Sequence, residues 1–151
     1  MILIAHRGNI QGPIPTLENK PSYIQQALDA GFSVEIDLRS REGQLYLGHD
    51  YPQYKIDSSF LVDNKNKFWV HCKDAEALAK ALELNLNCFW HNTDDYTMTS
   101  YGYVWCFPNK GPVGRRSVMV LPEMYDSVSS INKNGNMIAI CSDYVLDIQN
   151  I

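Results

Sequence analysis

The sequence predicts an α/β protein: an abridged (β/α) barrel of TIM type with about seven strands and some of its helices missing. Short apolar runs recur along the chain, and helix signals stand between several of them. The length of 151 residues falls short of the roughly 250 that a complete eightfold barrel takes. An open, doubly wound parallel sheet is the alternative arrangement of the same elements. The runs fall at 2–6, 33–38, 67–72, 87–91, 103–107, 117–121 and 137–141.

Between the first two runs, Asn19-Lys20-Pro21 supplies an N-cap and an early proline. Tyr23, Ile24, Ala27 and Leu28 then form an apolar stripe, and Gly31 sits where a helix would stop. After the third run, Asp74 caps a helix whose Ala75, Leu78, Ala79 and Leu82 follow helical spacing, with Asn85 at its end. A third helix is expected from Pro122 to about Asn132, carrying Met124, Tyr125, Val128 and Ile131, before Asn134-Gly135 turns the chain into the last strand. A turn at Glu42-Gly43 leads into the alternating Leu45-Tyr46-Leu47, and the loop 109–116 replaces a helix. The longest irregular stretch, 51–66, holds at most a short helix near 57–62. No repeat, low-complexity segment or linker divides the chain, so one domain over 1–151 is expected.

With 45% hydrophobic and 20% charged residues the chain can bury a core, and a net charge of −4 at a pI near 5.5 gives no general attraction for nucleic acid or an anionic membrane. Any recognition of phosphate must be local. No stretch approaches the apolar length of a membrane helix, and the first five residues do not read as a signal peptide. Cys72, Cys88, Cys106 and Cys141 lack paired metal-site spacing and sit in apolar runs, which reads as buried reduced thiols in a cytoplasmic protein.

Three clusters carry the chemistry. His6-Arg7-Gly8 leaves a buried strand, offering a proton carrier and a planar fork for phosphate oxygens. In Val34-Glu35-Ile36-Asp37-Leu38, strand alternation puts both carboxylates on one face, where their repulsion calls for a cation: a hard divalent ion, or a neighbour such as Arg39 or Lys73. In 69–73, His71 and Lys73 share a face, and Gly48-His49-Asp50 adds another histidine beyond the turn. Polar and aromatic residues in 89–96, among them Trp90, Asn92 and Tyr96, offer one wall of a pocket.

Taken in order, His6-Arg7-Gly8, Glu18-Asn19, Glu35-Ile36-Asp37 and His49-Asp50 resemble the glycerophosphodiester phosphodiesterase family, within the wider phospholipase C-like group. The chain departs from the family's Glu-x-Lys on the next strand, having His71-Cys72-Lys73, and Ser142-Asp143-Tyr144 is similar to the family's last strand end. The resemblance covers about a third of the chain. It implies that Glu35 and Asp37 bind one divalent metal, with His71 in the third position. It implies also that His6 and His49 form the acid/base pair, that Arg7 and Lys73 hold phosphoryl oxygens, and that Glu18 and Asp50 support them. Mg2+ or Ca2+ suits the carboxylates, while an imidazole at 71 suits Mn2+ or Zn2+ better.

The expected activity is hydrolysis of a small, soluble glycerol- or sugar-linked phosphodiester. A related lyase releasing a cyclic phosphate and a non-catalytic module binding a phosphorylated ligand are the alternatives. Which histidine is acid and which is base stays open. Unpaired strand edges in a shortened barrel also raise the expectation of a homodimer, with a covering loop or tail near 147–151 as the alternative.

Overall fold

The computed structural model describes residues 1–133 and 135–151. Among the described residues ten strands form one sheet: β1 (Ile2–His6), β2 (Ser33–Arg41), β3 (Gln44–Leu47), β4 (Tyr54–Ile56), β5 (Phe68–Cys72), β6 (Cys88–Trp90), β7 (Tyr96–Met98), β8 (Val104–Cys106), β9 (Ser117–Val120) and β10 (Ala139–Ser142). The helices are α1 (Pro21–Asp29), α2 (Ser58–Asp63), α3 (Ala75–Glu83) and α4 (Val145–Asn150).

All seven expected strands are present and run parallel in the order β6-β5-β2-β1-β10-β9-β8. Starting from β1 at the centre, the chain works outward to β6, re-enters at β8 on the far side and returns to β1's other edge. The sheet is mixed and curls into a half-barrel. Between its ends lies β7, antiparallel to β8, and the segment after it reaches β6: Ser100 N–H donates to Cys88 O at 2.8 Å, while Ser100 Oγ donates to Leu86 O and accepts from Cys88 N–H.

Alternation along the strands sorts the side chains. Val34, Ile36, Leu38, Val70 and Cys72 face outward and join Ile24, Ala27, Ala77 and Ala81 of α1 and α3 in the main core. Ile4, Trp69, Phe89, Trp105, Val118 and Cys141 fill the concave side with a second cluster. Burying a large apolar side chain contributes about 1.5–3 kcal/mol, so this alternation strongly fixes which face each strand turns inward. All four cysteines are buried and unpaired.

Local signals mostly act as expected. Asp74 Oδ1 accepts from Ala77 N–H at 2.8 Å, and Gly31 and Asn85 take positive φ just past α1 and α3. Glu42-Gly43 forms the two-residue turn of the β2–β3 hairpin. The stretch 107–116 holds no helix.

Four readings need correction. In place of a helix from Pro122 to Asn132 there are two short 3-10 turns, Pro122–Met124 and Val128–Ser130. Ser130 Oγ bonds Ser127 O at 2.8 Å and contacts Ser127 Oγ at 3.1 Å, the local side-chain competition that disfavours a helix interior. Asn19 is no helix cap: Lys20 holds that position, and Asn19 is buried beneath the carboxylates. The stretch 51–66 contains β4 as well as α2, because Tyr54–Ile56 pairs with β3 as a short edge strand. The strands total ten, since β3, β4 and β7 add antiparallel pairings to the seven. Asn134, the first residue of the turn expected at Asn134-Gly135, lies outside the described residues.

Candidate functional site

A cleft of about 360 Å³ opens at the C-terminal ends of the parallel strands. His6, Arg7, Glu35, His49, His71, Lys73, His91 and Asn92 line it, so β1, β2, β5 and the loops after β3 and β6 bring the expected polar residues together.

On β2, Glu35 and Asp37 are 2% and 0% exposed, a position that demands compensation for both charges. Asn19, at φ 62°, supplies part of it: its amide donates to Asp37 Oδ2 at 2.8 Å while its Oδ1 accepts from Asp37 N–H at 2.9 Å. Arg7 Nε lies 3.0 Å from the same carboxylate, and Lys73 Nζ is 3.7 Å from Oδ1. Burial alone would raise the Asp37 pKa; Arg7, His71, Lys73 and the Asn19 bond outweigh it and hold it below the usual carboxylate range. Asp37 Oδ1 is nevertheless buried without a hydrogen-bond partner.

His71 faces that oxygen. Its Nε2–H donates to the backbone carbonyl of His91 at 2.9 Å, which leaves Nδ1 as the nitrogen turned toward the carboxylates. Nδ1 then lies 3.5 Å from Asp37 Oδ1 and 3.6 Å from Glu35 Oε1. A lone pair aimed at two carboxylate oxygens is repulsive unless a proton or a cation lies between them. Glu35, Asp37 and His71 each offer one ligand atom within 4.8 Å of the others, so the donor set suits a small divalent ion, with the His91 carbonyl orienting the imidazole from behind.

Two imidazoles flank this trio, each with a carboxylate behind Nδ1. His6 Nδ1–H donates to Asp143 Oδ1 at 2.8 Å, while Nε2 stands 4.0 Å from Glu35. Burial would lower the His6 pKa, but the Asp143 bond and the charge of Glu35 raise it above the ordinary value. His49 Nδ1 pairs with Asp50 Oδ1 at 2.7 Å in a more exposed setting. Arg39 holds the His49 loop to β2, donating to Gly48 O at 3.0 Å and to His49 O, and Gly48 N–H bonds Asp37 O at 3.0 Å. A side chain at Gly48, φ 150°, would meet Tyr51 O at 2.2 Å, so the turn that delivers His49 requires glycine.

Arg7 leaves β1 at φ 53°, its N–H bonded to Glu35 O at 3.0 Å, and its guanidinium reaches Glu18 Oε2 at 3.0 Å. Glu18 also accepts from Asn9 Nδ2, which donates in turn to Asp143. Trp90 and Tyr96, expected with Asn92 in the pocket wall, lie outside the cleft: Trp90 lines an outer groove with Leu82 and Met98, and Tyr96 OH reaches Gly111 O.

The sequence reading missed Asn9, Asn19 and Asp143 as site residues. Asp143 carried a signal, a carboxylate just past an apolar run at the same strand end as His6. The far wall of the cleft, Trp105, Phe107, Pro108, Val120 and Leu121, carried none. Comparison with protein-family models, curated proteins and solved structures finds no match.

Proposed function

We propose that this chain is a metal-dependent phosphodiesterase resembling the glycerophosphodiester phosphodiesterases, built on an abridged TIM-type barrel. The observation that carries the reading is the convergence of Glu35 Oε1, Asp37 Oδ1 and His71 Nδ1, with Asp37 Oδ1 buried and unpartnered, beside two carboxylate-backed imidazoles. The ring-like strand order and the placement of every polar group at the C-terminal strand ends support the barrel assignment.

In this reading Glu35, Asp37 and His71 hold one divalent ion, Mn2+ or Zn2+ being better suited to the imidazole than Mg2+ or Ca2+. Bound there, the ion supplies Lewis-acid stabilisation of charge on the phosphoryl oxygens. Arg7 and Lys73 add fixed positive charge at the same place, so a phosphodiester is drawn to this end of the cleft. His6, whose raised pKa favours the imidazolium, carries the proton toward the leaving alcohol, and His49 removes one from the nucleophile. Asp143 and Asp50 hold each ring with Nε2 available.

A second reading, a module that binds a phosphorylated ligand without cleaving it, is favoured by one observation. Arg7 and Lys73 already lie against Asp37, so part of the buried charge is balanced within the chain. Hydrolysis of bis(p-nitrophenyl) phosphate decides between the two. The enzyme reading expects turnover that EDTA abolishes, that Mn2+ restores, and that falls about a thousandfold in Glu35→Gln. Phosphate binding without turnover in the wild type assigns the binding module, and phosphorus NMR of the products separates simple hydrolysis from release of a cyclic phosphate.

A further inference from the structure

The cleft has two unlike walls. Its polar residues come from β1, β2, β5 and the loops after β3 and β6, whereas the side contributed by β8, β9 and their C-terminal ends is formed by Trp105, Phe107, Pro108, Val120 and Leu121. This side carries no carboxylate, amide or hydroxyl; its polar groups are the indole N–H of Trp105 and the imidazole of His91, which packs edge-on against Phe107 with ring centroids 5.4 Å apart. Its members are also unevenly buried. Trp105 and Val120 are core residues that turn one edge to the cleft, while Phe107 is 37% exposed, an apolar ring held at the mouth with the adjacent Pro108 beside it.

Leu121 adds an independent mark. Its backbone sits at φ 46°, ψ 51°, the left-handed region that favours glycine and is unfavourable for a branched aliphatic residue. Its N–H is bonded to Cys141 O at 2.8 Å, which anchors the strained turn to β10 and places the leucine side chain in the cleft. Strain of this kind persists where the surrounding structure determines it, and it gathers at ligand clamps.

We propose, resting on the phosphodiesterase reading above, that the substrate is a phosphate ester with an apolar arm, alkyl or aryl, lodged against Phe107, Val120 and Leu121 while its phosphoryl group faces Arg7 and Lys73. A polyol arm would strip water from several hydroxyls and find too few partners for them among the Trp105 N–H, His91 and Asn92, whereas an apolar arm gains affinity with every methylene it buries. The class therefore differs from the soluble glycerol or sugar ester expected from the sequence. The chemistry is shared by small aryl or short alkyl esters and by single-chain lipid phosphates, and chain length separates these sources.

The test is calorimetric binding to the intact chain of inorganic phosphate, glycerol 3-phosphate, and ethyl, butyl, octyl and phenyl phosphate, with and without Mn2+. Each fully buried methylene strengthens binding about fourfold, so butyl or phenyl phosphate is expected to bind about tenfold or more tighter than glycerol 3-phosphate. A plateau beyond butyl identifies a small ester; a further rise to octyl identifies a chain that leaves the cleft past Phe107. Leu121→Gly suits the observed backbone conformation and so keeps the turn, yet it removes the side chain; the butyl-to-inorganic-phosphate affinity ratio is expected to fall at least about fivefold, and Phe107→Ser gives the same loss through an exposed position. Glycerol 3-phosphate binding as tightly as butyl phosphate, or an affinity ratio unmoved in both variants, overturns the proposal while leaving the phosphodiesterase reading in place. Binding of none of the phosphates overturns both.

Discussion

His71 Nε2 lies 2.9 Å from the carbonyl oxygen of His91, and this bond decides which ring nitrogen meets Glu35 and Asp37. Replacing the ring by a carboxylate removes both the nitrogen donor and the tether. His71→Glu is expected to shift metal preference from Mn2+ and Zn2+ toward Mg2+ and Ca2+, with the Mn2+-to-Mg2+ affinity ratio falling about tenfold or more in titration calorimetry. An unchanged ratio would falsify the assignment of His71 as a ligand.

Asn19 spends both ends of its amide on Asp37. Asn19→Ala leaves a buried carboxylate and its N–H short of partners and places alanine at φ 62°. The expected cost is about 2–4 kcal/mol in urea unfolding, the range for orphaned buried polar groups with added backbone strain. A loss under about 1 kcal/mol would mean that water replaces the amide.

The His6–Asp143 pair sets a pH window. Burial works against the charge of Asp143, but the His6 bond and nearby positive groups keep its pKa below the ordinary 3.8; His6 lies above the ordinary 6.5 despite its own burial. A lowered carboxyl stabilises the fold above its unfolded value, and that contribution is lost as pH falls through the folded value. A raised imidazole stabilises below its unfolded value, and its contribution is lost as pH rises through the folded value. The pair therefore contributes fully between 3.8 and 6.5. The stability difference between wild type and Asp143→Asn is expected to be largest in that window and to shrink above it, and the His6 NMR titration midpoint should fall in the variant. A midpoint that stays put or rises contradicts the pairing.

Arg39 donates to two successive carbonyls, those of Gly48 and His49, and no carboxylate among the described residues pairs with it. It acts as a tie between the His49 loop and the strand carrying Glu35 and Asp37. Under the proposed phosphodiesterase reading, Arg39→Met is expected to lower kcat by about ten- to a hundredfold while melting within a few degrees of wild type, since small misplacements of a reacting group are costly. Arg39→Lys, lacking the fork, should recover little. Wild-type kcat in the methionine variant would show that the loop holds itself.

Much of the polar half of the site was legible because strand period and motif order are local. Glu35 and Asp37 had to share a face, and His71 and Lys73 had to share the matching face of the neighbouring strand. Asn19 misled because a short polar residue before Pro21 satisfies the capping pattern, while the pull of a buried carboxylate eighteen positions away leaves no local trace. Asp143 reaches His6 across 137 positions and becomes visible only when β10 is known to lie beside β1. The segment 122–132 has helical apolar spacing, but its serines found nearer partners in their own backbone. Trp105, Val120 and Leu121 read as core because an apolar strand end looks the same whether it meets a helix or a cleft.

The two walls of the cleft are also separated along the chain. Apart from His91 and Asp143, the charged groups and imidazoles gathered around Glu35 and Asp37 lie between positions 6 and 73, whereas the apolar side is written between 105 and 121. Mutations in the later stretch can therefore drift, or be exchanged as a block, without passing through the residues that carry charge. A lineage with this layout can change the apolar side of the cleft while its cluster of charged groups stays under separate selection.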